Sequence, residues 1–305
     1  MNSPGESGIA GLRRLGELHA LMARVLFFSE LFGKIGAFGW WMYEPWSPIG
    51  WVLFAVPDLF VLYHLLVPSG QWLCPVATHF KTDQNEVWLT IDDGPDPTDT
   101  PEILDLLDRH GARATFFVIG DRAAQWPHLV SEILRRGHEI GHHTHTHPTG
   151  TFWFASRARV HRELDAALAV LSPAGARPTR FRCPVGIKNF FLASALKRRA
   201  LHCIGWTIRS GDCLGRNPED VVVRVMRKVR AGAILLLHEG RSVPRQTRVR
   251  AIAMLLDALT ARNFRCVVPR RGQLRPRVGE TRQSIPERHA PAEAVVGVTN
   301  LAGGD

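Results

Sequence analysis

The run Glu86-Val87-Trp88-Leu89-Thr90-Ile91-Asp92-Asp93-Gly94-Pro95 is apolar until it stops at two carboxylates and a turn. It reads as a buried strand whose end carries charge, because Gly-Pro halts the extended chain at once. From this strand onward, short apolar runs alternate with segments of helical periodicity. Strands are expected at 86–91, 114–119, 138–141, 179–182, 202–206, 233–237 and 264–268. Helices are expected at 101–110, 127–136, 157–171, 192–199, 218–230 and 245–262, with Pro218 suited to a first helical position. Such alternation gives parallel strands joined by helical crossovers. About seven of them predict an α/β fold, a distorted (β/α) barrel. No internal repeat is visible.

The flanks have a different texture. In residues 9–43, Leu12, Leu15, Leu18, Leu21, Met22, Val25 and Leu26 recur at helical spacing. Arg13, Arg14, Arg24, Glu30 and Lys34 interrupt them too often for a bilayer span, so an amphipathic helix on a membrane or against a partner is expected. Residues 49–67 are the one long apolar run, enough to span hydrocarbon at roughly 1.5 Å per residue. Pro57, Asp58 and His64 lie inside it, which suits a tilted or broken span or a re-entrant hairpin, and Trp40, Trp41, Trp46 and Trp51 resemble interfacial anchors. The alternative is a helix packed on the domain that follows. Residues 1–75 are therefore assigned to a membrane-associated region, 76–269 to the α/β domain, and 270–305, rich in Arg, Pro, Gly and Glu, to a mobile tail. With a single span, the arrangement expected here, the basic residues before the run would leave the domain on the outer side of an inner or plasma membrane; a broken hairpin would return it to the same side.

The formal charge of +10 is concentrated. Ten Lys or Arg in 156–200 face two acids, and eight in 224–250 face Glu239 alone. An anionic membrane surface or anionic lipid carrier fits, as does a plain solvated helix face. Nucleic acid is not expected, for no basic motif interleaved with aromatics is present. Five cysteines without C-x-x-C spacing exclude a disulfide framework and a cysteine zinc site. No obligate protein partner can be inferred.

Chemistry concentrates at two places. Asp92 and Asp93 end the first strand, where α/β folds place their sites, and alternation along a strand lets one bind metal while the other stays free as base. His143 and His147, four apart in His142-His143-Thr144-His145-Thr146-His147-Pro148, would project from one face of a helical turn. With a carboxylate they form a set suited to one divalent ion, zinc first, with cobalt, nickel or iron as alternatives. His142 and His145 are distractors.

Together these residues resemble the NodB-homology polysaccharide deacetylases, carbohydrate esterase family 4. Three further segments fall in the family's order: Phe181-Arg182-Cys183-Pro184-Val185-Gly186, Arg209-Ser210-Gly211-Asp212-Cys213 and Leu236-Leu237-His238. The resemblance implies Asp93, His143 and His147 as metal ligands and Asp92 as general base, kept ionised by Arg182. It implies His238 as the acid for the leaving amine, oriented by Asp212, and a Val185 N–H for the oxyanion. Val185 replaces the usual aromatic, Cys213 the usual tryptophan and Arg209 an aspartate, so the acyl pocket beside Leu236 is altered. The expected activity is removal of an N-acyl group, acetyl first, from an amino sugar of a polysaccharide, glycolipid or lipid-linked saccharide. O-acetyl ester hydrolysis and a non-catalytic, membrane-bound carbohydrate-binding role are the alternatives.

Overall fold

The computed structural model describes residue 25, residues 28–244 and residues 247–276. The N-terminal helical pattern is thus only partly in view, and residues 277–305 of the tail lie outside the described residues. Helix α1 (28–43) turns through Glu44–Ser47 into α2 (Pro48–Leu66), and the two pack antiparallel. Lys34 Nζ meets Asp58 Oδ1 at 2.9 Å, and the Trp41 and Trp51 rings are 4.9 Å apart. A Cβ on Gly33 would come within 2.8 Å of Pro57, and one on Gly50 within 2.2 Å of Trp41, so small residues let the helices close. The α2 helix is long and apolar enough to cross a membrane. Most of its large side chains are exposed; its C-terminal His64 and Leu65 are buried against the domain.

The domain is a mostly parallel sheet curled into a distorted half-barrel. Its strands are β1 (Val76–Phe80), β2 (Glu86–Gly94), β3 (Ala114–Val118), β4 (Glu139–His142), β5 (Arg180–Phe181), β6 (His202–Ile204), β7 (Ile208–Arg209), β8 (Ile234–His238), β9 (Arg265–Cys266) and β10 (Leu274–Pro276). Their order is β10-β1-β6-β5-β4-β3-β2-β8-β7, with β9 also on β2 and only β10 antiparallel. The curl brings β1 round to the start of β8, where Phe80 N–H donates to Gly232 O at 2.9 Å. All seven expected strands are present. The three additional ones are β1, five residues with alternating burial, and the two- and three-residue strands β7 and β10. Residues 271–276, assigned by sequence to the tail, form a turn and the edge strand β10.

Helices α3 (Asp99–Arg109), α4 (Gly120–Gln125), α5 (Pro127–Arg135), α6 (Arg157–Leu171), α7 (Leu192–Arg198), α8 (Pro218–Met226) and α9 (Arg248–Ala261) connect the strands. Pro127 and Pro218 stand in first turns, where no N–H is needed. The Ser156 hydroxyl caps α6 by accepting from Arg159 N–H. Val87, Leu89 and Ile91 bury against Ile103, Leu107, Leu255 and Leu259 of α3 and α9. The alternate residue Trp88 joins Phe80, Phe117, Ile204 and Ile234 in a core inside the curl. Period-two alternation therefore puts Trp88, Thr90 and Asp92 on the interior face, with Asp92 at the carboxyl end.

Candidate active site

The residues expected to bind metal or carry catalysis lie near the carboxyl ends of parallel strands or in the loops that follow them. Along β2, Asp92 pairs in register with Phe117 and Gly94 with Val118, leaving Asp93 as a bulge with φ of 72°. That bulge swings the second carboxylate round beside the first, where simple alternation would point it away. Asp93 Oδ1 lies 3.4 Å from His143 Nε2 and 3.3 Å from His147 Nε2. The helical turn expected for the histidines is absent. They sit on a loop after β4, and Thr144 and His147 at positive φ bring the rings to 4.7 Å.

That loop is held by groups distant in sequence. Glu163 of α6 accepts from the N–H groups of His145 and Thr146 and from the Thr146 hydroxyl. His142 is buried and bonds Leu164 O through Nε2, while His145 pairs with Asp121, so both are structural. His143 Nδ1 bonds Arg182 O at 2.9 Å, which directs Nε2 at the carboxylates.

The trio fits a divalent cation on its own chemistry. Its ligand atoms all lie within 4.8 Å of one another. Asp93 Oδ1 is buried with no hydrogen-bond partner, a cost that a bound cation would remove. Burial raises the Asp93 pKa, but His143, His147 and His238 outweigh it and hold the carboxyl well below its usual range. Burial, aided by the charge of His143, pushes His147 down to about 4, the neutral form a ligand requires.

Asp92 stands apart from the trio in its bonding. Its Oδ1 receives Arg182 at 2.6 Å, and its Oδ2 lies 3.8 Å from His143 Nε2. Arg182 is wholly buried and also donates to Thr90 Oγ1, Ile204 O and Gly205 O, with its guanidinium 4.1 Å over the Phe117 ring. All three guanidinium nitrogens thus find partners, through four hydrogen bonds, in the buried interior.

Across the cleft, His238 ends β8 in register with Asp92. Its Nδ1 bonds Asp212 Oδ1 at 2.8 Å, and its backbone N–H donates to Asp212 Oδ2 at 2.7 Å. Ser210 Oγ and Cys213 N–H also donate to Asp212. Burial disfavours the imidazolium, yet the bond and charge of Asp212, with Asp92 and Asp93 behind, raise His238 to about 9. A neutral imidazole at His147 and a charged one at His238 therefore share one site.

The cleft between them has a volume of about 160 Å³ and is lined also by Thr149, Val185, Trp206, Arg209, Cys213 and Leu236. Val185 is at φ 48° and half-exposed at the mouth. Thr149 and Trp206 were not singled out by sequence; Trp206, ending an apolar run, gave the only hint. Glu239 was also missed. It is fully buried, raised to about 8 by that burial, and takes a 2.5 Å bond from Thr100. A Cβ on Gly94 would sit 1.7 Å from Glu239 Oε1, so the glycine of Asp-Asp-Gly-Pro is required by this neighbour.

A curled parallel sheet with this set at its carboxyl edge, including a trio consistent with a divalent metal site, points to the polysaccharide deacetylase class of hydrolases. Residues 79–203 match the family profile described as polysaccharide deacetylase. A chitooligosaccharide deacetylase of Bradyrhizobium sp. is 36% identical over 190 residues, 58% of this chain and 86% of that protein. A peptidoglycan-N-acetylglucosamine deacetylase of Bacillus cereus is 35% identical over 204 residues, 66% of this chain and 92% of that protein. Among solved structures, a family 4 carbohydrate esterase from Streptomyces lividans in complex with acetate superposes with a TM-score of 0.54 at 28% identity, covering 63% of this chain and 94% of that one. The chain belongs to the polysaccharide deacetylase family, carbohydrate esterase family 4 with NodB homology, and is a hydrolase acting on carbon–nitrogen bonds. A family pseudoenzyme from Bacillus anthracis shares the fold at a TM-score of 0.56 and 24% identity, so the side chains, and not the fold, carry the activity.

Proposed function

We propose that this protein removes N-acetyl groups from N-acetylglucosamine-type sugars of a glycan or glycolipid while attached to a membrane. The observation that carries the reading is one cleft holding a cation-binding trio with an orphaned carboxylate oxygen, a separate carboxylate base and a separate charged histidine. The relatives named above act on chitooligosaccharide and on peptidoglycan N-acetylglucosamine, which supports the sugar class.

A divalent ion on Asp93, His143 and His147, zinc before cobalt, nickel or iron, would polarise the acyl carbonyl and bring the pKa of a water toward neutrality. Asp92 takes the proton of the attacking water through Oδ2, because Arg182 occupies Oδ1. His238 gives its Nε2 proton to the departing amine, and Asp212 steadies the ring before and after transfer. The Val185 N–H, set at the mouth by its positive φ, donates to the oxyanion. Leu236, Cys213 and the Val185 side chain enclose the acyl methyl. A histidine charged at neutral pH suits an amine leaving group more than an ester alkoxide, which favours amide over O-acetyl hydrolysis. Purified full-length protein given N-acetylglucosamine oligomers and a divalent ion should show, by mass spectrometry, acetyl replaced by hydrogen. No loss from any N-acetylated glycan, with metal bound, overturns the reading.

The antiparallel packing of α1 on α2 supports a membrane hairpin over the single span expected from sequence. A hairpin returns the chain to the side from which it came, so the domain shares a side with Arg13, Arg14 and Arg24, the cytoplasmic one by the positive-inside rule. There the arginine-rich helices face anionic lipid. Alkaline phosphatase fused after Pro276 stays inactive on this reading and becomes active if one span exports the domain.

A further inference from the structure

Among the described residues that follow the α1–α2 hairpin, seven large apolar side chains are exposed. Five of them, Trp153, Phe154, Val185, Phe190 and Phe191, belong to just two loops. These loops also wall the cleft, one through Thr149 and the other through Val185 and Gly186. The aromatic patch is built rigidly. Asn189 is buried, and its Nδ2 donates to the carbonyls of Phe152 at 2.9 Å, Trp153 at 3.2 Å and Ala155 at 2.9 Å. Its Oδ1 accepts from Phe191 N–H at 2.8 Å, so one side chain ties the two loops together. The Trp153 and Phe154 rings meet edge-on at 4.8 Å.

The same wall receives the end of the apolar helix. Lys188 N–H donates to Leu65 O at 3.0 Å, and its buried ammonium to Val67 O at 2.5 Å. A Cβ on Gly186 would be 2.7 Å from Pro68, so α2 leaves its apolar surroundings directly at the cleft rim. Cations follow both loops in the chain: Arg157 lies three residues after Phe154 and Arg198 ends the helix that follows Phe191, and both are exposed. Together with desolvation and Arg199, they hold the His161 imidazole below its usual pKa. Aromatic side chains flanked by arginine match the interfacial zone of an anionic bilayer. Continuity with α2 and this charge complement favour lipid over a protein partner or a second copy.

We infer that Trp153, Phe154, Phe190 and Phe191 seat in the bilayer interface, so that the active site opens at the membrane surface and takes its N-acetylated sugar from an amphiphile held in the leaflet. This rests on the membrane attachment proposed above and adds to it a second, separate contact. The hairpin anchors the protein; the aromatic rim sets where the cleft lies. A soluble oligosaccharide reaches the same cleft without using the rim.

The test uses the full chain with phosphatidylcholine–phosphatidylglycerol vesicles carrying an alkyl-anchored N-acetylglucosamine glycolipid, alongside a soluble N-acetylglucosamine oligomer. Replacing Trp153, Phe154, Phe190 and Phe191 by Gln should leave flotation with vesicles and kcat/KM on the oligomer unchanged. On the vesicle glycolipid, kcat/KM should fall about tenfold, as expected when apolar area loses its lipid contact. Should that variant misfold, the pair Phe190→Gln and Phe191→Gln carries the same split. Brominated lipid should quench wild-type fluorescence more than that of Trp153→Phe. Equal loss on both substrates, no loss on either, or no extra quenching in vesicle-bound wild type overturns the rim while sparing the hairpin. A patch that instead mediates self-association, seen as a dimer lost in the variant, overturns it too. Wild type that fails to float sinks the attachment itself and the rim with it.

Discussion

Asp92 with Arg182 and Asp58 with Lys34 are carboxylate–cation pairs of similar length, 2.6 and 2.9 Å, placed in opposite surroundings. The first is walled in, its side chains 4% and 0% exposed, and every other polar atom of the arginine is used by backbone or hydroxyl oxygens. The second lies on an apolar hairpin, 51% and 41% exposed, with Glu30 and the Phe54 ring also near the ammonium. In water such an open pair contributes little. In lipid it becomes the condition for burying either charge at all. On the function proposed above, pairing serves two ends: in the domain it fixes the carboxylate assigned as base, and in the hairpin it would make a charged segment permissible in lipid.

The largest expected effect lies on the reactive side. Asp93→Asn, His143→Ala and His147→Ala should each abolish hydrolysis and deplete bound divalent ion, because three protein ligands are the working minimum. Elemental analysis checks this, and undiminished metal in both histidine variants would break the assignment.

Next comes the walled-in pair itself. Asp92→Asn should keep its metal and lose roughly 10²–10⁴-fold in turnover. Arg182→Met leaves a buried carboxylate unpaired and should cost about 3–5 kcal/mol of stability as well. Denaturant titration separates the two, and the double variant should regain part of the stability without the activity. If Arg182→Met were as stable as wild type, the interior pair would be no more demanding than the exposed one.

A smaller change is expected at Asp212. In the proposed mechanism His238, raised to about 9, is the acid, so activity should be lost as pH rises through its pKa. Asp212→Asn removes the raising charge, and the alkaline limb of kcat/KM should move down by about one to two pH units. A limb that stays in place would assign the acid to another group.

The smallest effect belongs to the hairpin. Lys34→Met or Asp58→Asn alone should weaken flotation with vesicles, and the double variant should restore it, since only the unmatched charge is costly in lipid. Additive losses would mean the pair is merely a surface contact.

The sequence showed the repeating part of the fold well, because strands such as 114–118 are buried on both faces and their crossovers carry helical periodicity. It missed β7 and β10, whose two or three residues hold no period, and α4, which opens on Gly-Asp-Arg. Asp93, His143 and His147 were legible as ligand types at suitable spacing, yet their conformation was not, since a bulge and two positive-φ residues replace the expected alternation and helical turn. Arg182 and Asp212 could be given roles only through the family resemblance, as partners of groups roughly 90 and 26 residues away in sequence. Glu163 and Asn189 were invisible for the same reason: each acts on backbone groups from a distant element.

The crowding of Gly94 against Glu239 constrains the routes by which this site can change. A side chain at position 94 has no room until position 239 is shortened, and shortening 239 forfeits the bond from Thr100. Either substitution made first meets a penalty that the other would relieve. Exchange at these two positions is therefore order-dependent, and a library varying position 94 alone would return glycine whatever the selection applied.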